Sequence, residues 1–262
     1  MASPGRILHG GDWGSRLARH MASSPACTAD WVEQHTRLLK SDSHSRVGLL
    51  EIEGQPCFIK LYLAKSLLQR LGFRLGVGRG LRSFAAADQL ARAAVPVPRA
   101  RACLLVPEGM VLLTEAIPDT GDLRALWLAI PDPLSSLQLM GAAGEVLGQL
   151  HRAGFAHGDA KWSNLLWNGE HFYLVDLEAV RRLRAGRAGT RLHARQLADL
   201  ARFVIDAEEL GASSQQLECF LSAYLDGAAF TREQLVSQLR PLLPSIRERH
   251  RLRYRTPQRP LL

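Results

Sequence analysis

Residues 157–167 read HGDAKWSNLLW and set His157, Asp159, Lys161 and Asn164 within eight residues. Nine residues beyond Trp167 stands a second acid, Asp176, at the end of the apolar run FYLV. The stretch is either a polar loop joining a helix to a strand or the working part of an active site. The pattern His-x-Asp-x-Lys-x-x-Asn puts Asp159 and Asn164 at opposite ends of one loop, able to converge on a point, and Asp176 arrives beside it. Two carboxylates and an amide oxygen are hard ligands. They suit Mg²⁺, which keeps several waters and takes its other ligands from substrate phosphates. A carboxylate near a hydroxyl can also orient it and accept its proton during phosphoryl transfer.

Such a site needs a cation for nucleotide phosphates, a backbone edge for the base and a cover over the phosphates. Lys60, in CFIKLY, supplies the cation; a charge in an apolar strand is unexpected unless it faces a polar cleft. The run LLTEA (112–116) can offer a strand edge to a purine, with Glu115 and Ala116 at its end. The turn SDSHSR (41–46) can lie over the phosphates through Ser43, Ser45 and its backbone N–H groups. The pieces occur in the order that such a site requires, which makes the set stronger evidence than any member. The GVGRG run at 76–80 neither follows a strand nor completes a dinucleotide fingerprint, and reads as a helix break.

Working outward, the chain predicts an α+β fold with strands first and helices second. Residues 1–30, rich in Gly, Ser and Ala, read as a loosely ordered arm with one short helix. Residues 31–116 read as a smaller lobe: the runs RLLK, RVGLLEIEG and QPCFIKLYL are parted by turn-formers, as in an antiparallel meander. A helical stretch over 64–94 is interrupted at LGVGRG and stopped by VPVP, before the strand-like runs RACLLV and MVLLTEA. Residues 117–262 read as a mainly helical lobe that carries the polar loop. It opens with a helix over 134–153 closed by Gly154 and ends in a basic tail.

Composition narrows the function classes. In 262 residues, 47% are apolar, enough for a sizeable core. The four cysteines are scattered without a CxxC pair, which argues against a zinc site or a disulfide framework and fits a reducing compartment. No signal-like or membrane-spanning run is present, so a cytoplasmic chain is expected. The net charge is +8, and only four of the cations are lysines. Arginine forks suit phosphates and carboxylates. Two clusters stand out, RRLRAGRAGTR (181–191) and IRERHRLRYR (246–255). The first fits an anionic acceptor. The second, if extended, forms one basic edge for an anionic membrane surface; in a helix it spreads around. No RNA or DNA module motif accompanies them, so no nucleic acid is expected.

The segments FIK, VPVP, LLTEA, LHRAGFAHGDAKWSNLLW and YLVDLE resemble the protein-kinase-like superfamily, and within it the bacterial lipopolysaccharide core kinases that phosphorylate heptose or Kdo sugars. The resemblance covers roughly residues 35–205. It implies a two-lobed protein-kinase-like fold and an ATP- and Mg²⁺-dependent phosphotransferase acting on the lipopolysaccharide inner core, peripheral on the cytoplasmic face of the inner membrane. On this resemblance Asp159 is the catalytic base and Lys161 neutralises the transferred phosphoryl group. Lys60 contacts the α- and β-phosphates, Asn164 and Asp176 hold Mg²⁺, and His157 braces the loop. Aminoglycoside-like small-molecule kinases and protein Ser/Thr kinases share the motifs and stay open as alternatives, as does a nucleotide-binding regulator without activity. Three departures stand out. The family's Gly-rich loop is absent from 41–46. Near the position of the acid that should pair with Lys60 stand Ser83 and, one turn on, Asp88. The metal turn carries Glu178 in place of Gly, which makes it a further candidate ligand.

Overall fold

The computed structural model describes residues 5–22, 26–129, 132–183, 192–254 and 259–262. The chain divides into two compact units, one of residues 1–92 with 98–118 and one of 93–97 with 119–262. The first unit contains β1 (Arg6–His9), α1 (Gly11–Ala22), α2 (Thr28–His35), β2 (Arg37–Ser41), β3 (Ser45–Ile52) and β4 (Gln55–Leu63). Then follow α3 (Leu67–Arg74), α4 (Arg79–Arg92), β5 (Ala100–Val106) and β6 (Gly109–Glu115). Among the described residues its strands form one antiparallel sheet in the order β1-β5-β6-β4-β3-β2.

The meander follows from local chemistry. β3 and β4 pair from Ser45↔Tyr62 to Ile52↔Gln55, closing on Glu53 and Gly54. Both of these have positive φ, 50° and 75°, the backbone a two-residue hairpin requires. Alternation along β4 turns Cys57, Ile59 and Leu61 into a core with Leu17, Trp31 and Val32 of α1 and α2. Lys60 and Tyr62 therefore point to the other face.

Residues 5–22 and 26–30 differ from the loose arm expected of 1–30. β1 pairs with β5 at the sheet edge, and α1 buries Leu17 completely in the core. Trp13, Leu17 and Met21 recur at every fourth position, an apolar helix stripe that the surrounding Gly, Ser and Ala obscured. The guanidinium of Arg101 lies 4.1 Å from the centre of the Trp13 ring and ties α1 to β5.

The second unit contains β7 (Gly121–Asp122), α5 (Leu123–Ala129), α6 (Pro133–Arg152), β8 (Phe155–Ala156), β9 (Leu165–Trp167), β10 (Phe172–Leu174) and β11 (Arg181–Arg182). Helices α7 (Ala194–Glu209), α8 (Ser214–Leu225), α9 (Arg232–Leu239) and α10 (Leu243–Tyr254) complete it. α6 starts on Asp132, whose carboxylate accepts from Ser135 N, with Pro133 in its first turn. Gly154 (φ 80°) turns the chain just past its end. The segment 93–97 belongs to this unit: Pro96 O accepts from Leu174 N at 3.0 Å, and Ala94 O from Gln149 Nε2 at 2.6 Å. No helix among the described residues is long and apolar enough to cross a membrane.

α6 and α8 approach closely because Gly144 has no side chain. A Cβ there would stand 2.3 Å from Phe220 O and 2.9 Å from Tyr224 N. At Gly141 a Cβ would meet only Cys219 Sγ at 3.5 Å, an ordinary contact. Gly144→Ala is therefore expected to destabilise by about 1–3 kcal/mol through overpacking. Gly141→Ala gains the helix propensity of alanine, about 0.5–1 kcal/mol. Urea unfolding of the two variants should shift in opposite directions; a shared sign would contradict the close helix contact.

Candidate active site

The polar loop leaves β8 at His157, whose side chain is completely buried. Its Nε2–H donates to Val175 O at 3.0 Å, and its Nδ1 accepts from Asp159 N at 3.3 Å. That pairing requires the neutral ring, and burial lowers the His157 pKa against the opposing pull of Asp199. Gly158 has φ 82°, and a Cβ on it would lie 2.7 Å from Ala179 O, so glycine is required there. Asp159 Oδ2 accepts from Lys161 Nζ at 3.0 Å and Asn164 Nδ2 at 3.3 Å, while Asn164 Nδ2 also donates to Asp159 O at 2.9 Å. The side chain of Asp159 is 41% exposed, so this carboxylate faces out of the fold.

Helix α7 holds the loop from beneath. The Asp199 carboxylate is buried and accepts from His157 N at 2.6 Å and Gly158 N at 2.8 Å. The Asp206 carboxylate accepts from Trp162 N at 2.9 Å, and Phe203 O accepts from Trp162 Nε1 at 3.1 Å. Gln196 Nε2 donates to His151 O at 2.9 Å and Phe155 O at 3.3 Å. Residues 196, 199, 203 and 206 lie on one helix face, so one side of α7 satisfies the backbone of a segment with little regular structure. His151 completes the arrangement. Its Nε2 lies 3.4 Å from Asp199, and its Nδ1 lies 2.9 Å from the Tyr224 hydroxyl.

Sequence reasoning passed over both Asp199 and His151. The available signal was the polar trio of Gln196, Asp199 and Asp206 on the apolar face of an amphipathic helix. Trp162, fully buried against Trp127 and Phe203, is a core residue.

The second acid follows β10. Asp176 takes the left-handed conformation (φ 60°) and precedes the short 3-10 turn Leu177–Ala179. Val175 N donates to Asn164 O at 3.0 Å, tying this turn to the loop. Glu178 is half-buried, with one carboxylate oxygen fully enclosed. Asp159, Lys161 and Asn164 thus touch one another, and Asp176 lies one residue from the backbone bond that joins its strand to Asn164. Asn164 spends its amide N–H groups on Asp159, which leaves its oxygen as the atom that could meet a cation. With Asp176 and Glu178 the donor set is all oxygen, as Mg²⁺ prefers.

A separate group, Asp206, Glu209 and His250, brings its possible ligand atoms within 4.8 Å of one another. Its charges are already met, by Arg202 at 3.4 Å from Asp206 and by Arg124 at 3.3 Å from Glu209. Burial raises the Asp206 pKa and lowers that of His250. The group ties α10 to α7.

In the first unit, Lys60 lies between Val47 and Leu112 in the sheet, with its ammonium 4.9 Å from the centre of the Tyr62 ring. The Tyr62 hydroxyl meets Ser83 of α4 at 3.3 Å. Asp88 does not serve Lys60 as expected: it is exposed and bonds Arg92, one turn along its own helix, at 2.8 Å. In the SDSHSR turn, expected to cover the phosphates, the N–H groups are bonded within the turn. The N–H groups of His44 and Ser45 donate to Asp42 at 2.7 and 2.8 Å, Ser45 is buried, and the Ser43 hydroxyl meets His44 Nδ1 at 2.8 Å. Lys40, then these N–H groups, hold the Asp42 carboxyl well below the usual range. At the end of LLTEA, Glu115 N donates to Arg99 O at 2.9 Å and Ala116 N to Pro56 O at 3.2 Å. Neither N–H is directed to a ligand, because both complete the sheet's own bonding.

Of the first arginine cluster, Arg181 and Arg182 form β11 beside β8, and residues 184–191 lie outside those described. The second is helical, as α10, which removes the extended basic edge. Arg247 forms a buried bidentate pair with Glu208 at 2.8 and 2.6 Å, and Arg251 pairs with Glu248 in its own helix.

Removing the Asp199 carboxylate would leave two loop N–H groups buried without acceptors. Asp199→Ala is expected to lower stability by about 2–6 kcal/mol, at about 1–3 kcal/mol per orphaned group. It should also speed amide exchange at His157 and Gly158 more than elsewhere in the second unit. Exchange at those amides unchanged from wild type would remove Asp199 from this role.

Comparison with known proteins bears on the identity of this site. The family model described as Lipopolysaccharide kinase (Kdo/WaaP) family matches residues 29–224. Among solved structures, the chain is similar to WaaP in complex with acyl carrier protein, with a TM-score of 0.59 at 20% identity over 85% of this chain and 90% of that one. It is also similar to the Mycobacterium tuberculosis PknI kinase domain, with a TM-score of 0.44 at 16% identity over 67% of this chain and 73% of that one. At 20% identity the likeness to the WaaP structure is one of fold. Among curated proteins, 34 residues are 47% identical to a probable bifunctional tRNA threonylcarbamoyladenosine biosynthesis protein of Methanocorpusculum labreanum, covering 13% of this chain and 6% of that protein. The loop, the turn at Asp176 and a family match over three quarters of the chain agree: this protein is a phosphotransferase that belongs to the lipopolysaccharide kinase (Kdo/WaaP) family.

Proposed function

We propose that this chain transfers the γ-phosphate of ATP, with Mg²⁺, to a sugar hydroxyl of the lipopolysaccharide inner core. The observation that carries the reading is the exposed Asp159 carboxylate at the head of a loop whose backbone is bonded from beneath. Asp159 orients the acceptor hydroxyl and takes its proton. Lys161, now 3.0 Å from Asp159, is placed to share its charge with an incoming phosphoryl group. Asn164 and Asp176 hold Mg²⁺, with Glu178 as a third oxygen donor. The bound metal would neutralise phosphate charge and orient the phosphates.

Lys60 is the cation for the α- and β-phosphates. The carbonyl edge at Glu115 and Ala116 is what that strand end offers to a purine. Ser43 and Ser45 belong to the turn proposed to cover the phosphates, and Asp42 must release the N–H groups of His44 and Ser45 for that turn to bind an anion. The acceptor is membrane-anchored, so the chain works at the cytoplasmic surface of an anionic bilayer.

Asp159→Ala should lower kcat on purified core saccharide by about 10²–10⁴-fold, the range for a general base, while ATP still raises the melting temperature as in wild type. Asp176→Ala should abolish the part of that thermal shift that depends on Mg²⁺. Retained transfer by Asp159→Ala, or an unchanged Mg²⁺ effect in Asp176→Ala, would overturn these roles.

A further inference from the structure

The first helix after α1 and α2, α3, is unlike its neighbours. Of the exposed large apolar side chains among the described residues, half fall within 67–77: Leu67 and Leu68 at 81%, Leu71, Leu75 at 72%, and Val77. Scattered exposed leucines are ordinary, but a cluster of this kind marks a contact surface. At about 100° per residue, continued through the C-cap at Leu75, the four leucines fall within about 100° of arc. Phe73, the buried side chain of α3, lies on the opposite side and anchors the helix to the cluster around Met110 and Cys103. The leucine face is therefore directed away from the fold by the same residue that holds the helix in place.

Charge says what that face fits. Arg70 and Arg74 border the leucines, both exposed, and Lys65, Arg79 and Arg82 flank the helix. No Asp or Glu occurs anywhere from Gly54 to Ala87. Glu108, which approaches through the bond of its carbonyl to Ala64 N, turns its carboxylate to Thr28 N at 2.9 Å. A short helix with an exposed apolar face edged only by arginine and lysine is suited to lie in the headgroup region of an anionic bilayer.

We propose that α3, with Leu67, Leu68, Leu71 and Leu75 inserted and Arg70 and Arg74 at the headgroups, is the element that docks this chain on an anionic lipid surface. The basic tail expected to do so is helical and partly spent on internal ion pairs. The proposal rests on the lipopolysaccharide reading only in supplying a reason for membrane contact; the docking itself is a property of the surface.

The test uses the full chain, sedimented with vesicles of phosphatidylcholine alone or mixed with phosphatidylglycerol. Wild type should partition to the anionic vesicles at least about tenfold better, and less so in high salt. The Leu67→Ser/Leu68→Ser/Leu71→Ser variant should lose about tenfold or more of that partition, and Arg70→Gln/Arg74→Gln should lose the preference for anionic lipid. Both variants should unfold at the wild-type temperature and phosphorylate soluble, deacylated core saccharide at the wild-type rate. Wild-type partition in the leucine variant would overturn the proposal. So would a wild type that ignores both vesicles, or one that forms a dimer through these leucines. Failure of every form on the soluble saccharide would instead count against the proposed function and leave the partition result standing.

Discussion

The acceptance of two consecutive loop N–H groups by one buried carboxylate is the interaction on which the site depends. His157 and Gly158 sit where β8 ends and before any further regular structure begins, so their backbone donors have no strand or helix to satisfy them. Asp199 meets both, at 2.6 and 2.8 Å. Each donor left buried without a partner costs about 1–3 kcal/mol, a large share of a typical folding free energy of about 5–15 kcal/mol. The loop is thereby held to one path, and that path sets the direction of Asp159, the next residue. The Asp159 carboxylate can remain solvent-facing because the peptide groups before it are bonded inside the fold.

The same helix performs a second fixation at its other end. Asp206 bonds Trp162 N, and Glu208 receives Arg247 from α10 and Leu261 N from the C-terminal residues. A buried charge pair of this kind is weak evidence of added stability, because desolvation opposes the attraction. Its consequence is positional. Arg247 is committed to the interior of the second unit, and Leu261 is bonded to α7.

Much of the architecture could be read from residues. The meander was legible because β3, β4, β5 and β6 alternate or run apolar between turn-formers, and Glu53-Gly54 supplies the two positive-φ positions a tight hairpin needs. The loop was legible because His157, Asp159, Lys161, Asn164 and Asp176 lie close along the chain, where spacing alone brings them together. Asp199 was not legible in that way. Its partners are about forty residues earlier, and a lone Asp in RQLADLARFVIDAEEL has the same local appearance whether it bonds water or a loop. Likewise, the first thirty residues hid Trp13, Leu17 and Met21 in a background of small residues. The arginine tail drew attention by count, yet charge periodicity does not reveal which arginines meet an internal carboxylate. The N–H groups of the SDSHSR turn followed the same rule, because their acceptor, Asp42, is a member of the turn itself.

The most direct test is the phosphate content of lipid A-core from cells that lack this protein, read by mass spectrometry after complementation with wild type or with Asp159→Ala. The account predicts that the deletion strain loses one phosphate per core, that wild type restores it and that Asp159→Ala does not. A core unchanged by the deletion, or restored equally by Asp159→Ala, would contradict it.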